Sequence, residues 1–137
     1  MKKYEFIEHT ADIKFIAYGK NLEELFSNCG KALLEVINNE EDILENKEKS
    51  FEVKGRDNEE LLLNFLEEFL YLLDAENFIV SEIIKLNIFR GKLSCLVSGD
   101  SSIKYSSSNN VKAITYSGMK IEESKKGILK CTVVLDV

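Results

Sequence analysis

Apolar positions along this chain recur at two different periods. The change from one to the other separates a helix-bearing first half from a strand-bearing second half. Ile13-Lys14-Phe15-Ile16-Ala17-Tyr18 is a strand-like run that stops at Gly19. Asn21 then suits a helix N-cap, and Glu24, three residues on, is placed to reach back in capping-box fashion. Leu22, Leu25, Phe26, Cys29, Leu33, Val36 and Ile37 follow at helical spacing as one apolar stripe, which predicts a helix ending near Asn38-Asn39. The acidic and lysine-rich segment from Glu40 to Ser50 reads as a solvated loop.

The next stretch repeats the first. Phe51-Glu52-Val53-Lys54-Gly55-Arg56-Asp57-Asn58-Glu59-Glu60-Leu61 aligns with Phe15-Ile16-Ala17-Tyr18-Gly19-Lys20-Asn21-Leu22-Glu23-Glu24-Leu25. In both, a Phe-led strand ends at Gly, a basic residue follows, and Asn or Asp caps a helix; Asn28 and Asn64 also correspond. This predicts an internal strand-helix duplication, with too few copies for a solenoid. The second helix, about Asn58 to Asp74, carries Leu61, Leu62, Leu63, Phe65, Leu66, Phe69, Leu70, Leu72 and Leu73. Apolar around so much of its circumference, it is expected in the core.

Beyond it the period becomes two. Ile84, Leu86 and Ile88 alternate with Lys85 and Asn87, and Arg90-Gly91 turns the chain into Leu93, Cys95 and Val97, predicting a β-hairpin. Gly99 through Asn110, rich in Ser and Asn, reads as a long exposed loop. Strands over Val111 to Glu122 and Ile128 to Val137 follow, joined by the charged turn Ser124-Lys125-Lys126-Gly127. The predicted class is α+β: two main helices on a mostly antiparallel sheet, forming one domain over residues 1–137.

Charge narrows the function classes. A net charge of −6 argues against a stand-alone nucleic-acid binder and suits a role beside a basic partner or a cation. Cys29, Cys95 and Cys131 are odd in number and widely spaced, which points to buried free thiols and a reducing cytosol rather than a disulfide framework. No signal peptide and no apolar run long enough to span a membrane stand out, so a cytoplasmic, soluble protein is expected.

Candidate chemistry gathers at the two ends of the chain. Glu8-His9-Thr10-Ala11-Asp12 holds the one histidine and places an aspartate at the head of a strand. Asp136-Val137 closes another strand with a side-chain carboxylate and, if Val137 is the natural end, a terminal one. If these ends meet, Asp12, Asp136 and Val137 form an all-oxygen site suited to Mg²⁺, Mn²⁺ or Ca²⁺ and poor for Zn²⁺. Solvated turn residues are the plainer reading of both aspartates. His9 could be a metal ligand, a general base, or a structural histidine bonded to a backbone carbonyl. Lys112, in Lys112-Ala113-Ile114-Thr115-Tyr116, could balance the carboxylates or grip a phosphate, or be an inert exposed lysine. No phosphate-binding loop, dinucleotide glycine pattern or nucleophile elbow is present.

His9-Thr10-Ala11-Asp12, the helix opening from Gly19 to Leu25, Lys112-Ala113-Ile114-Thr115-Tyr116 and the closing Leu135-Asp136-Val137 together resemble the archease family over essentially the whole chain. The resemblance implies a small cytosolic protein that is not itself an enzyme. It would activate the RNA-splicing ligase RtcB, a GTP- and Mn²⁺-dependent enzyme of tRNA splicing and RNA repair, by promoting its guanylylation and multiple turnover. It also implies Asp12 and Asp136 as metal contacts, Val137 as a further ligand and Lys112 as a functional lysine, with His9 part of the motif. The alternative it carries is a chaperone-like modulator of a tRNA methyltransferase. One departure stands out: family members commonly continue the Ala-Ile-Thr-Tyr motif with histidine, where this chain has Ser117.

Overall fold

The structure, a computed structural model, describes residues 1–8, 12–106 and 111–137. Strands β1 (Tyr4–Ile7) and β2 (Ile13–Gly19) lead into helix α1 (Leu22–Asn38). Strand β3 (Lys47–Lys54) leads into α2 (Asn58–Glu76), and β4 (Phe78–Phe89) with β5 (Lys92–Ser101) forms the hairpin. The short strands β6 (Ala113–Thr115) and β7 (Ile121–Glu123) precede β8 (Leu129–Asp136). Two antiparallel sheets result. In one, β1, β2 and β8 lie in order, with β6 and β7 both pairing along the far side of β8; the other runs β3-β5-β4. Both helices pack against strands of both sheets, giving the α+β class expected. Among the described residues no helix is long and apolar enough to cross a membrane.

The duplication is physical as well as textual. Asn21 Oδ1 accepts the Glu24 N–H at 2.8 Å, and Asp57 Oδ1 accepts the Glu60 N–H at 2.8 Å. The glutamates reach back to the Lys20 and Arg56 N–H groups at 3.0 and 3.1 Å. Asn28 Nδ2 donates to the Tyr18 carbonyl and Asn64 Nδ2 to the Lys54 carbonyl, both at 2.7 Å, tying each helix back to the strand before it. A Cβ at Gly19 would lie 2.3 Å from the Leu25 nitrogen, and one at Gly55 would lie 2.4 Å from the Leu61 nitrogen. Each strand therefore turns into its helix at a distance only glycine permits. Asn39 and Asn77 cap both helices in the left-handed region, with φ of 46° and 51°. The repeats meet in an aromatic cluster, Phe26 on Phe65 and Phe65 edge-on to Phe69, with centroids 6.0 and 5.1 Å apart. Cys29, Cys95 and Cys131 are buried free thiols.

Several boundaries differ from the sequence reading. A short strand, β1, lies in the N-terminal segment that carried no strand signal. Strand β3 begins at Lys47, inside the expected Glu40–Ser50 loop, and pairs with β5 from Lys47↔Gly99 onward. Register shifts between Val80 and Glu82 and between Ile83 and Lys85 break the alternation of β4. As a result Ile83, Leu86 and Ile88 pack on the core, while Ile84 is turned out to solvent. The expected strand from Val111 to Glu122 is two strands, interrupted by a turn in which the Met119 N–H bonds the Tyr116 carbonyl. Gly118 supplies the positive φ that this turn needs.

The Gly99–Asn110 stretch is also not simply an exposed loop. Its first residues complete β5, and Asp100 is wholly buried. Asp100 Oδ2 accepts from the Tyr105 hydroxyl (2.8 Å) and Asn46 Nδ2 (3.2 Å). Its Oδ1 accepts from the Ser101 N–H (2.8 Å) and Lys104 Nζ (3.2 Å). Tyr105 in turn accepts the Leu44 N–H at 3.0 Å. The two segments that read as loops are thus tied to one another through one buried carboxylate.

Gly19→Ala and Gly55→Ala should each lower stability by about 1–3 kcal/mol, because backbone rather than a flexible side chain occupies the space. A shift in urea midpoint at unchanged m-value would show it. Asp100 gives a second expectation. The Tyr105 hydroxyl, helped by the Ser101 N–H and Lys104, outweighs burial and holds its pKa down at about 2. A carboxylate depressed by folding stabilises the native state above its unfolded pKa and loses that contribution as pH falls toward the folded value. Asp100→Asn should therefore be less stable than wild type at neutral pH, with the gap in urea midpoint closing as pH falls from about 4 to 2.

Candidate functional site

The two ends of the chain meet because β2 and β8 are hydrogen-bonded neighbours. Their register pairs Ile13 with Leu135, and Leu135 also faces Ile114 of β6. Leu135 and Ile114 are buried, so this rung is the last apolar layer of the sheet at that end. Asp12 directly precedes Ile13 and Asp136 directly follows Leu135, so both flank this rung, while Ala113 pairs with Asp136 from the other side. The Lys112 N–H donates to the Asp136 carbonyl at 2.7 Å, anchoring the start of β6 against the end of β8. Asp12 is half-buried; Asp136, Lys112 and Val137 are exposed.

Three of the candidate positions, Asp12, Asp136 and Lys112, thus lie at the same end of this sheet, and Val137 follows Asp136. His9 lies outside the described residues. Among the described residues no three His, Cys, Asp or Glu side chains converge as a metal site. The sheet register leaves two aspartates flanking one rung, Asp12 before Ile13 and Asp136 after Leu135. Like charges across a rung are destabilising by themselves, so such a pair calls for a positive group nearby. Lys112 is tied to this end of the sheet through its backbone, one residue before the Ala113–Asp136 pair.

Ser117, where the family commonly has histidine, sits elsewhere. Thr115 pairs with Val134, so β6 runs away from Asp136 as it advances. The turn after it carries Tyr116 to the start of α2, where burial and the charges of Asp57, Glu60 and Glu59 raise the phenol pKa. Glu59 Oε2 also accepts the Ile121 N–H there, at 3.0 Å. Ser117 follows Tyr116 in this turn and is exposed.

Residues 4–137 match the model of the archease protein family (MTH1598/TM1083). The archease of Pyrococcus furiosus is 39% identical over 146 residues, covering 100% of both chains. That of Methanosarcina mazei is 34% identical over 142 residues, covering 99% of this chain and 97% of its own. The solution structure of protein 1598 from Methanobacterium thermoautotrophicum superposes with a TM-score of 0.82 at 31% identity, over 100% of both chains. An archease of Thermotoga maritima, described as a possible chaperone, shares the fold with a TM-score of 0.65 at 23% identity, covering 96% of this chain and 94% of its own. A matched model spanning nearly the whole sequence, relatives matched over almost their full length and a common fold lead to one conclusion: this chain belongs to the archease family.

Proposed function

We propose that this protein is a cofactor protein for an RtcB-type RNA ligase, acting through the end of the sheet that carries Asp12 and Asp136. The observation behind this reading is the β2–β8 register, whose last rung, Ile13 with Leu135, is flanked in sequence by Asp12 and Asp136. Their donor set suits a hard divalent cation such as Mn²⁺, Mg²⁺ or Ca²⁺. Asp12 and Asp136 would hold it, with Val137 next along the chain. A bound cation would supply positive charge for phosphate oxygens. Lys112, fixed by its N–H to the Asp136 carbonyl, adds a second positive group at the same edge and can offset the carboxylates or contact a phosphate.

The covalent work belongs to the ligase in this reading; the protein described here presents a rigid, charged rim to it. Rigidity follows from the buried Leu135 layer directly beneath the two aspartates. A chaperone-like partnership with a tRNA methyltransferase is the competing assignment.

Asp12→Ala and Asp136→Ala should each abolish stimulation of ligase guanylylation and of multiple-turnover RNA joining, with circular dichroism unchanged. Lys112→Ala should weaken stimulation without removing it. Normal stimulation by either aspartate variant would sink the assignment. A change in methyltransferase specificity that is indifferent to Asp12→Ala would select the competing one.

A further inference from the structure

An antiparallel sheet with one face on the core normally turns polar side chains outward on the other. The β3-β5-β4 sheet does so: Glu52, Ser94 and Asn87 make one outward rung, and Ser50, Leu96 and Lys85 the next. The sheet of β1, β2, β8 and β6 does not. Phe15 and Ala17 of β2 and Cys131, Val133 and Leu135 of β8 are buried in the core, so the alternate positions point away from it. Those positions form one rung of Ile7, Lys14, Val134 and Thr115, and a second of Glu5, Ile16 and Thr132.

Ile7 and Val134 lie on either side of Lys14, and Ile16 is diagonal to both, a spacing at which long side chains in a sheet still meet. All three are half-buried, yet the partly buried apolar residues that pack against the core do not include them. Single apolar residues on a surface are ordinary; three contiguous ones across three strands, with the methyl groups of Thr115 and Thr132 beside them, mark a contact surface. The patch is continuous with the acidic end of the sheet. Because Leu135 is buried, Asp136 points to the same side as Val134, and its β6 partner there is only Ala113. A protein that reaches Asp136 across the sheet therefore lies over Val134 and Thr115.

We propose that this outer face is where the ligase docks, with Ile7, Ile16 and Val134 as the apolar centre of the contact and Asp136 at its charged margin. The inference rests on the function proposed above and adds the surface by which the partner is held. What fits is a folded protein offering an apolar patch, with lysine or arginine placed to meet the carboxylate at one margin. Protein interfaces have that anatomy, apolar at the centre and polar at the rim. Lys14, the one charge at the centre, can lay its stem along Ile7 and Ile16 and turn its ammonium outward. An apolar centre beside a carboxylate suits a protein surface and not a phosphate backbone. Holding by the face and acting by the edge separates affinity from stimulation.

Calorimetric titration of the full chain into an RtcB-type ligase, run beside the stimulation assay, tests the proposal. The double variant Ile16→Lys/Val134→Lys should weaken binding at least about tenfold. Ile16→Thr/Val134→Thr keeps the β-branched shape, so it folds even where the lysine variant does not, and should weaken binding by a smaller factor. Circular dichroism and the urea midpoint establish which variants are folded. Ile84→Lys, at an exposed apolar position on the other sheet, should bind as wild type does. Asp12→Ala should lose stimulation and keep most of its affinity. Full affinity in the folded double variants, or an equal loss in Ile84→Lys, would overturn the docking face; loss of stimulation in Asp12→Ala would show that the function itself stands. Failure of the wild type to bind the ligase would overturn both. Sedimentation of the chain alone checks the other occupant: self-association abolished by Ile16→Lys/Val134→Lys would assign the face to a second copy and overturn the proposal.

Discussion

The fold depends on a strand being bent into a helix at a distance that leaves no room for a side chain. Gly19 and Gly55 permit that approach, Asn21 and Asp57 cap the helices it produces, and Asn28 and Asn64 clip each helix to its strand. Each device is local, yet together they fix the angle at which α1 and α2 leave their strands. That angle brings Phe26 and Phe65 together and sets each helix against both sheets. Among the described residues the two sheets do not pair with each other, and both helices pack against strands of each.

Local devices of this kind are legible in a sequence because cause and effect lie within a few residues. The caps, the Asn39 helix end, the correspondence of Asn28 with Asn64 and the Arg90-Gly91 turn were all readable that way. Features set by distant partners were not. Strand β1 exists because β2 offers it an edge, and its four residues carry too short a pattern to announce it. Polar composition over Glu40–Ser50 and Gly99–Asn110 suggested solvent, whereas Asp100, Asn46 and Tyr105 satisfy one another inside the protein. Ile84 looked like a core residue because periodicity assumes an unbroken register, and β4 breaks it twice.

The same division holds for chemistry. Asp12 and Asp136 could be suspected of meeting only because each sits at a strand end, and the pairing of β2 with β8 supplies the juxtaposition. At the other end of β2, Tyr18 is engaged on both sides, its N–H by the Lys3 carbonyl and its carbonyl by Asn28 Nδ2.

The place of β8 in its sheet has a consequence for the order of events during synthesis. It is the last strand in sequence, yet it lies inside the five-stranded sheet, with β2 on one side and β6 and β7 on the other. Until residues 129–136 leave the ribosome, β2 lacks its neighbour and the apolar faces of Phe15 and Ala17 lack Val133 and Cys131 opposite them. The β3-α2-β4-β5 unit can form earlier, from contacts nearer in sequence. A nascent chain halted short of Asp136 would carry Asp12 with no counterpart. Asp136 thus joins the sheet only once residues 129–136 have been made and have paired with β2.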